Sequence, residues 1–549
     1  MKKITFTSTF LFIIFSGLTL FTNGQGFSPN VQKKLQHVID SFQNNPTNPF
    51  IGGLSAVIKV DDLAEWAGAT GFAARNVDEN NNVIAGGTPF KVNTLSRIYS
   101  ITKTFTAPLV LELANEGAFK LDDLISKYIP VNVINPGINS NVTIRQLLVH
   151  ESGYSDFTDE INLQIAVAAQ PTHIWTPYEM LSFVHQENPA GSIRKYSSTN
   201  YVLLGAIIET VTGKPVEDLY RNRFFNPLGL KSMYFDIREQ NPTNKVLASP
   251  HDNISPFNPV FLQTGQPTFP DAYTNISRFP YTAISSLGFT GGAIISDVND
   301  VAAWSSALFN GRATGKNILN TMLQSISPNP DEDGDRLGYG VILSKKISGV
   351  YDFYGHDGNA PGYRSVMFYQ PDKKLTLVIL TNYHGADIYA IAKALYNAVP
   401  AFDCGNKDDK VTICFYGKNF CLPRIAASRI IAHGATLGAC DETHSTPITG
   451  NESIDSKLQI TNANISAGVF PNPFTTSITF SFTSTGTGQA SIRLFDMSGK
   501  MVATVFSGYV LKGVFLQIDF NASMLPAGIY LSRLQTVSGI SQQKVIKVH

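Results

Sequence analysis

Ser100 and Lys103 stand three residues apart in the stretch Arg97-Ile98-Tyr99-Ser100-Ile101-Thr102-Lys103-Thr104-Phe105-Thr106. Phe105, Leu109, Val110 and Leu113 follow at helical spacing, so the hydroxyl and the amine share one face at the start of a helix. A serine there can lose its proton to the lysine if burial keeps the amine partly neutral, and burial lowers a lysine pKa by up to ~3–5 units. The free N–H groups of a helix start favour the negative charge that develops when such an oxygen attacks a carbonyl. The chemistry on offer is acyl transfer through a covalent intermediate. SxxK alone is a common spacing, and two later stretches add to it. Lys195-Tyr196-Ser197-Ser198-Thr199-Asn200-Tyr201-Val202-Leu203-Leu204-Gly205 sets a phenol just before an apolar helix, and Tyr354-Gly355-His356-Asp357-Gly358-Asn359 lies on a predicted strand that continues past Gly362 into another. The chain has no GxSxG elbow and no HExxH zinc helix.

The elements that must hold these residues apart or together read as mixed α/β. Leu54 to Val60 and Leu63 to Ala69 form a predicted hairpin about Asp61-Asp62. Tyr339 to Leu343, Val350 to Tyr354, Tyr363 to Tyr369 and Leu375 to Thr381 read as strands, with Pro371-Asp372 turning the last pair, and Asp387 to Val399 reads as a helix. Early and late strands around a long helical middle predict one sheet assembled from both ends of the region. After Pro400 the texture changes. Residues 442–468 are rich in Asn, Ser, Thr and Ile without periodicity and read as a linker. Residues 469–549 carry short alternating segments at Ser477 to Phe482, Ser491 to Phe495, Val502 to Phe506, Val514 to Phe520, Gly528 to Leu534 and Gln543 to Val548. Those segments predict a small β-sandwich.

The whole chain has 549 residues, with 42 Lys+Arg against 42 Asp+Glu, 43% hydrophobic and 15% charged. That length allows about three or four folding units, and zero formal charge offers no field for nucleic acid. Residues 1–24 read as a secretory signal: Lys2 and Lys3 precede an apolar stretch that Thr5, Thr7, Ser8, Thr9 and Ser16 interrupt, so no transmembrane segment is expected in the mature protein. All the cysteines, Cys404, Cys414, Cys421 and Cys440, fall in a small module at 403–441. Gaps of nine, six and eighteen residues lack zinc-ribbon spacing, so in an exported chain they are disulfide candidates, with three pairings open. His433 reads as a surface histidine, Asp331 to Asp335 as a solvated acidic turn without the calcium-loop pattern, and Ser296 to Asp300 as a helix cap before Val301 to Leu308. No metal or cofactor is expected.

Taken in order, SxxK, YxS and HxG, with Leu147-Leu148-Val149-His150-Glu151-Ser152-Gly153 and Gly291-Gly292-Ala293-Ile294-Ile295-Ser296, resemble the serine β-lactamase and penicillin-recognising hydrolase superfamily over about Phe27 to Val399. The nearest groups are the class C enzymes, D-alanyl-D-alanine carboxypeptidases and family VIII esterases. The resemblance implies an α/β (α+β) β-lactamase-like fold over residues 25–400, an antiparallel sheet flanked by helices with an inserted helical subdomain. It implies Ser100 as nucleophile, Lys103 as the adjacent amine, and Tyr196 as the phenol exchanging protons with Ser100 Oγ and the leaving group. It also implies an oxyanion hole from the Ser100 and Asn359 backbone N–H groups. A neighbouring ammonium draws the Tyr196 phenol toward working pH, so Lys103 and Tyr196 form a coupled pair whose resting proton the sequence does not place. His356 stands where many relatives carry Lys and is expected to meet a substrate carboxylate or Tyr196, and Gly358 to let substrate approach the strand. Ser198 replaces the usual Asn of this substrate-binding position. A hydroxyl offers one donor on a shorter arm, which favours esters or D-amino-acid amides over peptides and β-lactams.

Val469-Phe470-Pro471-Asn472-Pro473-Phe474, Leu494-Phe495-Asp496-Met497-Ser498-Gly499-Lys500 and Pro526-Ala527-Gly528-Ile529-Tyr530 resemble the C-terminal sorting domain of type IX secretion. This implies the secretion machinery as a partner and a location outside the cell or on its surface. The resulting expectation is a secreted serine hydrolase acting through a Ser acyl-enzyme on small-molecule or peptide substrates, either esters or D-amino-acid peptides and amides. A β-lactamase, or a non-catalytic penicillin-binding or sensor protein, are the alternatives.

Overall fold

A computed structural model describes residues 26–548 apart from 46–49, 131–137, 243, 405–409, 416, 441–466, 485, 498–499, 511, 513–514 and 538. The expected signal at 1–24 and the expected linker, as far as residue 466, lie outside the described residues. The chain divides into two compact units, Met1–Ser445 and Thr446–His549.

In the first unit, strands from the two ends of the hydrolase region meet at the middle of one sheet. Gly53–Val60 pairs antiparallel with Ala64–Val77 on one side and with Leu375–Thr381 on the other, Leu54 facing Thr381 and Val60 facing Leu375. Asp61 and Asp62 turn the hairpin, Asp62 with φ 62°. Tyr363–Gln370, Phe353–Ala360, Ile342–Ser344 and Arg336–Leu337 continue the sheet beyond Leu375–Thr381, and Val83–Pro89 closes the far edge. Every residue of Leu375–Thr381 is buried, which explains its unbroken apolar run. Phe368 meets Tyr389 of the helix Ile388–Ala398, while its neighbour Tyr369 stacks on Phe309 of the helix Val298–Phe309. Successive strand residues point to opposite faces, so these helices cover the two sides of the sheet.

The strand expected through the His356 motif is present as Phe353–Ala360, while Val350 to Asp352, also read as strand, lie outside the pairing. Val83–Pro89 gives no sequence signal because Ala85, Gly86 and Gly87 break its alternation. Between early and late strands lie the helices. Lys103–Asn115 is buried on all sides, with Phe105 stacked on Trp304 at 3.8 Å between ring centres. Each such aromatic face removed from water contributes roughly 1.5–3 kcal/mol.

Near the end of the unit, Cys404 bonds Cys421 and Cys414 bonds Cys440. The bridges staple the hairpin Lys410–Phe415 and Lys418–Pro423, the helix Arg424–Ile431 and the strand Thr436–Leu437. This module joins the hydrolase region: Leu437 N–H donates to the Gly26 carbonyl, and Arg424 Nη2 donates to the Lys373 carbonyl at 3.1 Å. His433 Nδ1 donates to the Arg429 carbonyl at 2.7 Å. In the acidic turn, Asp331 Oδ1 accepts from the Asp333 and Asp335 N–H groups.

The second unit has a three-stranded sheet with Ser477–Thr483 at its centre and a four-stranded sheet, Met501–Val510, Gly488–Phe495, Gly528–Thr536 and Gly539–Lys547. Phe480, Phe482, Ile492 and Leu494 are among the residues filling its core. Ser477–Thr483 alternates exposed and buried positions as a half-covered strand should.

Candidate active site

The Ser100 segment is a tight turn ahead of the Lys103 helix. Tyr99 has φ 44°, a conformation that is strained for an aromatic residue. One turn of tight helix, Tyr99–Thr102, then leads into Lys103–Asn115. The Tyr99 ring is enclosed: its hydroxyl contacts that of Tyr281, and Arg97 lies over the Tyr281 ring at 4.5 Å while donating to Asp236 Oδ2 at 2.7 Å. Buried aromatic and ionic partners thus hold the turn in its strained form.

Lys103 is fully buried. Its Nζ lies 2.9 Å from Ser100 Oγ, 2.9 Å from the Gly291 carbonyl and 3.4 Å from Ser198 Oγ. Burial pulls its pKa down to about 7, against the opposing pull of the Asp156 and Asp357 carboxylates. Gly291 arrives through a second strained residue, Phe289, with φ 32° and ψ −134°. Thr290 Oγ1 donates to the Tyr201 carbonyl at 2.7 Å, and Gly205 permits this approach, since a Cβ there would sit 2.1 Å from that oxygen.

Tyr196 lies at the start of the helix Ser198–Thr212. Asp156 Oδ2 accepts from the Ser198 N–H at 2.7 Å and caps this helix from another segment. The Tyr196 hydroxyl is enclosed, with the Ser100 and Ser198 side chains beside it acting to lower its pKa. Its ring stacks on His150 at 4.6 Å and lies 5.0 Å from Lys103 Nζ. Burial lifts this phenol well above its ordinary pKa, more than its hydrogen bond to Ser100 lowers it. Of the coupled pair whose resting proton the sequence leaves open, the buried phenol favours its protonated form.

His356 is 2% exposed, and its ring is 5.8 Å from that of Tyr196. Nδ1 donates to the Asp357 carbonyl at 2.7 Å, and burial, with Lys103 nearby, pushes its pKa down to about 3. Of the two partners expected for it, the geometry offers Tyr196: the ring is neutral and does not line the cavity described below. Gly358 also has a packing reason to be glycine. A Cβ there would lie 2.3 Å from the Ile98 carbonyl and from Ser365 Oγ, so the strand could not rest against the Ser100 turn. The short neighbouring strand reaches only Phe353 to Gly355, so this partner leaves His356 to Ala360 unpaired along that edge. Asn359, opposite Arg364 on the paired side, lines the same cavity as Ser100 and Ser198.

That cavity holds about 630 Å³, ample for a small organic ligand. Several residues of this site carry no chemical signal in sequence. His150 accepts the Ser197 N–H on Nδ1 at 3.1 Å, has φ 61°, and is kept neutral by burial. It lies in the Leu147 to Gly153 stretch, which is visible as a landmark but not as a support for Tyr196. Gly291, in another landmark stretch, acts through a carbonyl that no side chain announces, and Asp156 acts through a cap outside any motif.

The β-lactamase family model matches residues 59–398. This chain belongs to the β-lactamase family. It therefore falls among the β-lactamase-fold serine hydrolases, which include carboxypeptidases and amidases. A candidate D-alanyl-D-alanine carboxypeptidase of Salmonella agona is 25% identical over 367 residues, 63% of this chain and 82% of that protein. Among solved structures, a D-stereospecific amidohydrolase from Streptomyces sp. is 25% identical with a TM-score of 0.53, covering 67% of this chain and 98% of that one. The octameric penicillin-binding protein homologue from Pyrococcus abyssi is 21% identical with a TM-score of 0.51, covering 71% and 90%, and shares the fold. Residues 468–548 match the secretion system C-terminal sorting domain, which indicates delivery to the cell surface or beyond. Among the described residues, no helix is long and apolar enough to cross a membrane, and no group of three or more His, Cys, Asp or Glu is placed to hold a metal.

Proposed function

We propose that the protein hydrolyses esters or D-amino-acid amides and peptides through an acyl-enzyme on Ser100. The observation that carries this is Lys103 Nζ, buried and drawn down to about 7, at 2.9 Å from Ser100 Oγ. A neutral amine has two hydrogens and one lone pair. With the hydrogens given to the Gly291 carbonyl and Ser198 Oγ, the lone pair faces the Ser100 hydroxyl proton.

In the first step, Lys103 Nζ takes the Ser100 proton as Oγ bonds to the substrate carbonyl carbon. The oxyanion rests against the Ser100 and Asn359 N–H groups, each such donor contributing about 10²–10³ in rate. Tyr196, a phenol that keeps its proton, donates it to the leaving alcohol or amine as the carbonyl bond breaks, and is reprotonated from the Lys103 ammonium through the Ser198 hydroxyl. Water then enters, gives a proton to Lys103 as its oxygen bonds to the acyl carbon, and Lys103 returns that proton to Ser100 Oγ as the acid leaves, restoring both groups. His150, stacked beneath Tyr196 and bonded to the next residue's N–H, fixes the phenol's plane. The amidohydrolase and carboxypeptidase likenesses support carbonyl substrates of D configuration. A leader at 1–24 and the sorting domain would carry the enzyme out of the cell.

Incubation with a fluorescent fluorophosphonate tests the proposal. Labelling of the wild type and none of Ser100→Ala is expected, with turnover of at least one of p-nitrophenyl esters, D-Ala-D-Ala peptides or D-amino-acid amides. An unlabelled wild type that turns over none of these would refute it.

A further inference from the structure

The wall of the Ser100 cavity is divided by chemistry. Leu163, Val167, Ile254, Phe257, Phe261 and Phe279 make one side apolar and largely aromatic. Asp252 and His384 also line the cavity. Among the described residues lining the cavity there is no Lys or Arg, and Asp252 is the one carboxylate. Lys103 lies beneath Ser100 with its hydrogens directed to protein oxygens.

Asp252 is a built feature. It is 5% exposed, accepts the Asn253 N–H on Oδ1 and the Gly362 N–H on Oδ2, each at 2.8 Å, and has His384 Nδ1 3.0 Å from Oδ1. A carboxylate offers about four acceptor positions, so these contacts leave capacity for one more donor. Gly362 lies at the turn between the strand carrying Asn359 and its partner Tyr363–Gln370, which fixes the carboxylate close to the oxyanion strand. A substrate carboxylate entering this cavity finds no cationic partner and one like charge. An ammonium finds a partly desolvated anion, where charge pairing is stronger than in water.

We infer that the site takes acyl donors with a bulky apolar or aromatic group and an ammonium directed to Asp252, and disfavours acyl donors bearing a carboxylate. The inference rests on the hydrolase reading of Ser100 and deepens it by naming the substrate's charge and shape.

Three methyl esters of D-phenylalanine test it on the full-length enzyme at pH 7: the free amine, the N-acetyl and the N-succinyl derivative. The expected order of kcat/KM is amine above acetyl by about tenfold, and acetyl above succinyl by about tenfold, each step equal to about 1.4 kcal/mol. Asp252→Asn should bring the amine-to-acetyl ratio close to one, and Asp252→Glu should retain it. A ratio taken within one variant is unaffected by how much of it folds, and the wild-type order alone decides the sign. Succinyl turnover equal to or above that of the amine overturns the inference, as does turnover of none of the three by enzyme that the fluorophosphonate labels. Absence of labelling would instead remove the hydrolase reading beneath it.

Discussion

The pH dependence of Ser100 acylation exposes the central claim most directly. With Lys103 drawn down to about 7, about half the molecules hold a neutral amine at pH 7, about a tenth at pH 6 and about a hundredth at pH 5. An unperturbed lysine, with a pKa of ~10.4, would be neutral in about one molecule in 2,500 at pH 7. Burial therefore raises the supply of base by roughly three orders of magnitude. The other groups facing the amine are silent in this window. His356, at about 3, and His150, well below its usual value, stay neutral, and Tyr196 stays protonated. The second-order rate of fluorophosphonate labelling should thus rise about tenfold per pH unit up to about pH 7 and level off above pH 8. Asp156→Asn removes a carboxylate that supports the ammonium, so its midpoint should move to lower pH. Lys103→Arg, charged throughout, should lose about 10²–10⁴ in rate at pH 8. A rate that is flat from pH 5 to 9, or still climbing tenfold per unit above pH 8, would refute Lys103 as the base.

Tyr196→Phe keeps the stack on His150 and removes only the phenolic proton. It should lower turnover of an alkyl ester or amide by about 10²–10⁴ while changing p-nitrophenyl ester turnover far less, since nitrophenolate leaves without a proton, and the ratio of the two rates checks this. Lys103→Met should abolish labelling yet raise Tm at pH 7. The folded pKa is depressed, so the cost of burying the ammonium is complete below pH 7 and vanishes as pH rises toward ~10.4, with a ceiling of roughly 5 kcal/mol, and melting at pH 7 and 10 measures it. Gly358→Ala places a Cβ 2.3 Å from the Ile98 carbonyl and should both lower Tm and slow labelling. Removal of residues 468–549 should leave hydrolysis intact and hold the enzyme in the cell envelope, as fractionation would show.

The residues with short, characteristic spacing are readable from the chain alone. Ser100 and Lys103 are three apart, and the structure brings them within hydrogen-bond distance of each other. Strands such as Leu375–Thr381 are legible because complete burial demands an unbroken apolar run. What escapes is whatever depends on the distant partner rather than on the residue type. Gly358 and Gly205 are small because of Ile98 and Thr290, more than eighty residues away in each case. The Gly291 carbonyl leaves no side-chain trace. The protonation of Tyr196 is governed by enclosure, which sequence does not report, so the resting proton of the pair stays open there. Asp252 and His384 meet across 132 positions and form no motif.

The pairing of Gly53–Val60 with Leu375–Thr381 imposes an order on biogenesis. The middle of the sheet stays open until residue 381 has been supplied, so more than three hundred residues must be present before the two halves can close. Pairings this distant along the chain slow folding. For a polypeptide bound for export, that late closure lengthens the interval in which the two halves of the sheet remain apart.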